Sequence, residues 1–451
     1  MGDTSAPTRA SLTERLDVLP FTRKHLKLLT GTGIGWALDA MDVGVISFIL
    51  AALTQQWGLT RAEAGWVASA GFIGMALGAT IGGLLADRLG RRQVFAITLL
   101  VYGLATGASA LVGGLALLLV LRFLVGLGLG AELPVASTYI SELAPAHIRG
   151  RLIVILEAFW ALGWTAAALI GYLVIPASAD GWRWAFALGA IPAVYALVVR
   201  WGGMPESPRW LTLRGRVAEA EAVVASFEKS AGIEAGPAIR KEPPSRAITA
   251  TTRARVTTLW HPEFRLRTAC LWVVWLYVNF AYYGAFIWMP SILVDAGFDL
   301  VRSFGFTLII TLAQLPGYAL AAWLIEVWGR RSTLSVFLVG SAASALVFGT
   351  ATTPVMIVGA GMALSFFNLG AWGALYAITP EIYPTSLRGS GAGWAAGIGR
   401  LASIIAPLAV PVMLAAGGPL AVFIGFGACF IFAALAAWGL SDRKGQALDD
   451  R

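Results

Sequence analysis

Twelve stretches of about 20 or more mostly apolar residues run through the chain, and each is long enough to cross a bilayer as a helix. They lie at about 26–53, 62–86, 93–113, 116–140, 151–175 and 183–201, and then at about 266–290, 303–326, 332–351, 354–379, 387–414 and 418–440. Lipid offers no partner to a peptide N–H or C=O, so a spanning segment must satisfy its own backbone. Stretches this long do so as helices rather than barrel strands. Composition agrees: 58% of residues are hydrophobic and 13% charged, where a soluble domain carries about 25% charged. So few charges cannot cover a surface in water. The 52 glycines would weaken soluble helices, but in lipid small residues let helices approach closely. The expected fold class is an all-α membrane protein with two six-helix bundles, over 1–201 and 265–451, and a polar linker over 202–264.

Charge sets the orientation. The net charge is +8, from 33 basic and 25 acidic residues. With both termini inside, the outer loops hold only Arg61, Arg183 and Arg302, and two further cations, Arg122 and Arg400, lie within spans. The other 28 of the 33 face the cytoplasm, as the positive-inside rule requires. Basic residues in short loops between apolar runs indicate anionic lipid rather than nucleic acid as the partner. Residues 1–24 lack an apolar core, so the first hydrophobic helix is expected to direct insertion into a bacterial inner membrane. Cys270 and Cys429 sit in apolar stretches, and His25, His147 and His261 are scattered, so no disulfide framework, metal site or cofactor is expected. A short amphipathic helix is expected in the linker, from about Arg216 to Lys229.

The two halves repeat. Asp87-Arg88-Leu89-Gly90-Arg91-Arg92 returns as Glu326-Val327-Trp328-Gly329-Arg330-Arg331, 239 residues later. Glu142-Leu143-Ala144-Pro145 with Arg149-Gly150 returns as Glu381-Ile382-Tyr383-Pro384 with Arg388-Gly389, again at 239. Two motifs at one offset imply a duplicated half, the architecture of carriers that work by alternating access.

These motifs resemble the major facilitator superfamily. Asp87 to Arg92 looks like its loop signature between helices two and three. Arg122 with Gly126, Gly128 and Gly130 is similar to its fourth-helix motif. Pro205-Glu206-Ser207-Pro208-Arg209-Trp210-Leu211 resembles the signature that follows helix six in sugar porters and organic-ion transporters. The first helix, Gly35-Trp36-Ala37-Leu38-Asp39-Ala40-Met41-Asp42-Val43-Gly44, is similar to that of bacterial nicotinate (niacin) transporters and synaptic-vesicle glycoprotein-like transporters. Aromatic-acid/proton symporters have a related pair of acids there. The resemblance implies a monomer that cycles by alternating access. In the second-half loop Glu326 stands where the signature has Asp, and Val327 where it has a basic residue.

An ion at bilayer depth costs about 2.5–3.5 kcal/mol even on lenient scales, so each needs a partner or a role. Asp39 and Asp42 share one helix face. Asp42 and Arg122 match in depth and are expected to form a pair that protonation can break. Glu132 and Glu157, nearer the cytoplasm, are candidates to relay the proton or to act as counter-ions. Arg400 has no acid within one turn of its own helix and is the candidate anchor for a substrate carboxylate. Trp36, Trp160, Trp164, Asn279, Tyr282, Tyr283, Gln314, Asn368 and Trp372 fall near mid-span, where rings can sandwich a flat substrate and amides can bond its heteroatom. In the loop motif, Asp87 is expected to accept backbone N–H groups at a helix N-terminus, while Arg88, Arg91 and Arg92 meet acids and lipid phosphate. Glu142 and Arg149, with Glu381 and Arg388, are expected to form a cytoplasmic charge lock beside Glu326 and Arg330.

No phosphate-binding loop, nucleophile elbow or paired-histidine metal motif is present. Gly126-x-Gly128-x-x-Ala131 mimics a dinucleotide fingerprint but lies inside a spanning helix without a preceding strand, which makes it helix packing. The expectation is therefore not an enzyme but a proton-coupled importer of a small aromatic or heteroaromatic monocarboxylate, with nicotinate foremost. A benzoate-like acid or a sugar is the alternative within transport, and a membrane nutrient sensor the alternative outside it.

Overall fold

A computed structural model describes residues 11–202, 204–233, 257–383 and 385–440. Among the described residues every regular element is helical. The first half comprises α1 (Leu12–Asp17), α2 (Arg23–Trp57), α3 (Arg61–Leu89), α4 (Arg91–Ser109), α5 (Leu115–Leu143), α6 (Arg149–Leu173), α7 (Gly181–Leu188) and α8 (Ile191–Trp201). Then follow α9 (Pro208–Leu213) and α10 (Val217–Ser230). The second half comprises α11 (Arg265–Asp295), α12 (Leu300–Leu312), α13 (Gln314–Trp328), α14 (Arg330–Gly349), α15 (Pro354–Ile378) and α16 (Thr385–Ala437).

Among the described residues, ten helical stretches are long and apolar enough to cross a membrane. Backbone chemistry explains why some arrive in pieces. The α7–α8 and α12–α13 pairs each make one span, broken just before Pro192 and Pro316. Proline lacks the N–H that would bond four residues back. α16 is two legs, separated at Gly417 and Gly418, with Gly418 at φ +65°, and Pro419 following. Counting both legs, and α4 packed between α5 and α8, gives twelve spans in two bundles.

Duplication extends to the backbone and its ion pairs. Gly90 and Gly329 both take the left-handed region, at φ +101° and +92°, where α3 turns into α4 and α13 into α14. A residue with a side chain resists this angle. Arg91 Nε lies 3.1 Å from Glu142, and Arg330 Nε lies 3.2 Å from Glu381.

Close approach between α3 and α5 depends on glycine. A Cβ at Gly126 would collide with the Gly71 carbonyl, and one at Gly130 with that of Met75. The α5 glycine run thus serves helix contact. At the linker end, α1 packs on α9 and α10. Arg15 forks onto Glu228 at 2.8 and 2.6 Å, and those hydrogen bonds raise the Arg15 guanidinium above its ordinary range.

Replacing Gly126 with Val is expected to cost about 1–3 kcal/mol by overpacking, read as a lower unfolding temperature in detergent. An unchanged temperature contradicts this packing.

Candidate functional site

A cavity of about 490 Å³ lies between the halves, within the roughly 300–1,000 Å³ typical of ligand sites. From the first half it is lined by Trp36 on α2, Ala76, Ala79 and Thr80 on α3, Gly130 on α5, and Glu157 and Trp160 on α6. The second half adds Trp275, Asn279 and Tyr283 on α11, Trp372 and Tyr376 on α15, and Gly393, Ala396, Gly397 and Arg400 on α16. The helix directions place all of these between mid-span and the linker end.

The walls are aromatic. Trp36 and Trp160 meet at 5.0 Å, Trp275 and Tyr376 at 5.2 Å, and Tyr282 and Trp372 at 5.1 Å. A roof closes the far side. Trp160 Nε1 donates to the Tyr282 hydroxyl across the halves at 3.1 Å, and Tyr283 packs edge-on against Phe72. Beyond the roof the halves are joined by Ser69 Oγ donating to the Ile404 carbonyl at 2.8 Å, by Phe48 against Phe304, and by the Arg61–Asp295 ion pair at 2.8 Å. Among the described residues, each ion pair at the linker end stays within one half and its flanking helices. The halves are therefore joined at the Arg61 end and, among the described residues, unbridged by ion pairs at the linker end.

Arg400 reaches this cavity with no carboxylate within 4 Å among the described residues. Its Nη1 touches Met75 Sδ at 3.9 Å, and the Tyr283 hydroxyl approaches the guanidinium. Glu157 fronts the same space, beside the Trp36 indole N–H. Arg122, buried where Arg400 is only partly so, is already matched. Arg122 Nη1 lies 3.2 Å from Asp42 Oδ2, with the side chains 4% and 1% exposed. Thr106 donates to Asp42 Oδ1 at 2.6 Å and accepts from Arg122 Nη2 at 3.3 Å. Phe186 lies 5.0 Å beneath the guanidinium. Asp39 is buried and Glu132 fully so, and neither has a cation within 4 Å among the described residues.

Four aromatic or amide candidates lie off the cavity wall. Tyr282 forms the roof, and Trp164 packs above it against Tyr282 and Phe286. Asn368 is one helical turn past Trp372 and therefore outside the roof. Gln314 starts α13. Both amides are fully buried and unpartnered. Depth is legible in a sequence, but the height of a roof is not. Sequence reasoning missed Trp275, Tyr376 and Thr80. Trp275 stands one turn from Asn279 and Tyr376 one turn from Trp372, so i±4 spacing from accepted candidates was the available signal.

The loop motif also differs from expectation. Asp87 is largely exposed and pairs with Arg91 at 3.0 Å. The carboxylate at the N-terminus of α4 is Glu206, whose Oε1 accepts from the backbone N–H of Arg91 at 2.9 Å and Arg92 at 3.2 Å. That terminus attracts any nearby anion, and the Pro205–Arg209 segment delivers Glu206 there. Asp87 and Arg88 contribute backbone carbonyls to Arg214, and Arg92 bonds the Met204 carbonyl at 3.1 Å. Arg149 pairs with Asp17 of α1, while Glu142 pairs with Arg91, so these two do not lock each other. Arg330 sits 3.9 Å from Glu326, longer than its counterpart Arg91–Asp87. The Arg388 side chain lies outside the described residues.

The sequence profile of the sugar (and other) transporter family matches residues 30–449. This chain belongs to that family, within the major facilitator superfamily. It is 49% identical over 405 residues to a niacin transporter, NiaP, of Acinetobacter baylyi, covering 90% of this chain and 91% of the relative. It is 47% identical to a putative niacin/nicotinamide transporter of Bacillus subtilis, covering 86% and 88%. A synaptic vesicle 2-related protein of Xenopus laevis is 30% identical, covering 97% and 82%. A partially occluded, inward-open structure of the xylose transporter XylE from E. coli matches with a TM-score of 0.75 at 21% identity, over 94% of this chain and 99% of that one. That likeness concerns the fold. The chain is thus a multi-pass membrane transporter of a small molecule.

Asp42→Ala leaves the Arg122 guanidinium buried without its counter-charge, at a cost of about 3–5 kcal/mol. Arg122→Leu in the same background is expected to recover part of that loss. Thermal unfolding of both variants in detergent checks this, and an unperturbed Asp42→Ala contradicts it.

Proposed function

We propose that the protein imports nicotinate, or a closely similar heteroaromatic monocarboxylate, together with a proton. The observation that carries this reading is Arg400, a cation in an aromatic-walled cavity with no carboxylate within 4 Å among the described residues. A guanidinium in that position takes a carboxylate bidentately. A flat ring then lies against the indoles and phenols of the wall, where aromatic contacts favour offset or edge-on geometry. The names of the Acinetobacter and Bacillus relatives, a niacin and a putative niacin/nicotinamide transporter, support a substrate of the nicotinate kind.

A sugar fits poorly. It needs many hydrogen-bonding groups, and the one lining amide is committed: Asn279 Nδ2 donates to the Trp275 carbonyl at 2.8 Å and its Oδ1 accepts from Ser403 at 3.3 Å. Glu157 supplies a link to protons inside the cavity. A charged Glu157 facing a bound carboxylate would repel it, so binding favours a protonated Glu157. Asp42 supplies a second link. Protonation there frees Arg122, removes the attraction that fixes α5 to α2, and permits the halves to rock. The excess of cations at the linker end supports a cytoplasmic location for that end and both termini, and on this reading the cavity described above faces inward. The enclosing membrane is then the bacterial inner membrane, and a single chain contains the whole site.

Uptake into proteoliposomes tests the carboxylate anchor. Arg400→Ala is expected to raise the half-saturating nicotinate concentration at least about tenfold, the equivalent of about 1.4 kcal/mol. It should also erase the preference of the wild type for nicotinate over its uncharged amide. Unchanged half-saturation would reject the anchor.

A further inference from the structure

One face of α4 carries three hydroxyl side chains at i, i+4 and i+8: Thr98, Tyr102 and Thr106. All three are buried, and each meets a different buried acid. Thr106 bonds Asp42 at 2.6 Å. The Tyr102 hydroxyl is aimed at Asp39 and also feels Glu132 and Asp42, yet it and both Asp39 oxygens lack a closed hydrogen bond. Thr98 meets Glu132 Oε2 at 2.6 Å. The series spans about 12 Å along the helix. It runs from the Asp42–Arg122 pair toward the linker end, on the interior side of the first bundle.

The two ends of the series are bonded differently. Thr106 accepts from Arg122 and spends its one proton on Asp42, so Asp42 is a carboxylate that accepts from both. Thr98 also has one proton but two oxygens in reach, the Phe95 carbonyl at 2.9 Å and Glu132 at 2.6 Å. The carbonyl only accepts. The hydroxyl donates to Glu132 when that acid is charged, and can turn to the Phe95 carbonyl and accept from the acid when it is protonated, so the contact serves either state. Gly35 makes room for this acid, since a Cβ there would stand 2.9 Å from Glu132 Oε1 and 2.6 Å from the Phe95 ring.

We propose that Asp42, Asp39 and Glu132, joined by the hydroxyl face of α4, form a proton relay inside the first bundle, separate from the substrate cavity. The proposal rests on the proton-coupled reading above. A proton arriving at Asp42 passes to Asp39 and then to Glu132. The Tyr102 hydroxyl takes a proton on one lone pair as it gives up its own, so one proton advances and the hydroxyl is restored. Glu132 hands it toward half-buried Tyr195, whose hydroxyl donates to the Gly31 carbonyl at 2.7 Å. The charged or titratable groups facing this route are Arg122, Tyr102, Tyr195 and, from the second half, Arg400.

The test uses proteoliposomes containing full-length wild type, Tyr102→Phe or Thr98→Val, with nicotinate as the probe. Two rates are read: nicotinate exchange at equal pH, and accumulation driven by a pH gradient. Both variants should exchange within about twofold of wild type and lose at least about tenfold in gradient-driven accumulation, with Thr98→Ser restoring it. Variants that accumulate like wild type overturn the relay and leave proton coupling standing. Variants that lose exchange while still binding nicotinate also overturn it, because the hydroxyls would then serve the conformational change. A wild type that exchanges but ignores the gradient overturns proton coupling, and a wild type that does neither overturns the nicotinate reading; each takes the relay with it.

Discussion

Asp42 and Arg122 neutralise one another inside the first bundle, and that pairing decides what every other buried charge is available to do. A guanidinium and a carboxylate removed from water are tolerable only together, with their remaining donors and acceptors met. Thr106 bonds both members here and the Phe186 ring covers the guanidinium, while Arg122 Nε is left without a partner among the described residues. With Arg122 spoken for, Arg400 is, among the described residues, a spare cation at cavity depth, and Asp39, Glu132 and Glu157 are acids with no cation within 4 Å. A cavity that holds an acid and a cation not paired with each other, with further acids buried beside it, is suited to exchange ions, since a protonated acid and a bound anion each relieve the unmatched charge.

The frame around these charges is a duplicated device. Each half turns its helix at a positive-φ glycine, and each ties the following arginine to a glutamate at or just past the end of the second helix beyond it. The first half adds Glu206 over the start of α4 and Arg149 bound to Asp17, so α1, α9 and α10 are fastened to the first bundle. The second half has a longer contact at Arg330–Glu326. Contacts between halves concentrate at the Arg61 end, where the roof of Trp160, Tyr282 and Tyr283 separates them from the cavity. Rocking about that roof would exchange one opening for the other.

Much of this was legible in the sequence because lipid imposes strong rules. The number of spans follows from apolar length, and the duplication from two motifs at one offset. The Asp42–Arg122 contact could be expected from depth along antiparallel helices. What escaped depends on azimuth and on partners far apart in the chain. Asn368 lies on the same helix face as Trp372 yet sits past the roof. Glu206, rather than Asp87, reaches the start of α4 because the segment after α8 folds back under the bundle. Arg149 found Asp17 in a helix too short to stand out as a pattern. The α4 hydroxyls carry no charge, so nothing in the sequence marked them until the acids they face were placed.

The most direct measurement is a structure of the protein with nicotinate bound. The account predicts both carboxylate oxygens on the Arg400 guanidinium and the ring against the Trp36 and Trp372 walls, with Asp42 and Arg122 taking no part in binding. A nicotinate whose carboxylate lies away from Arg400, or an Arg400 bonded to Glu157 while the ligand is present, would contradict it.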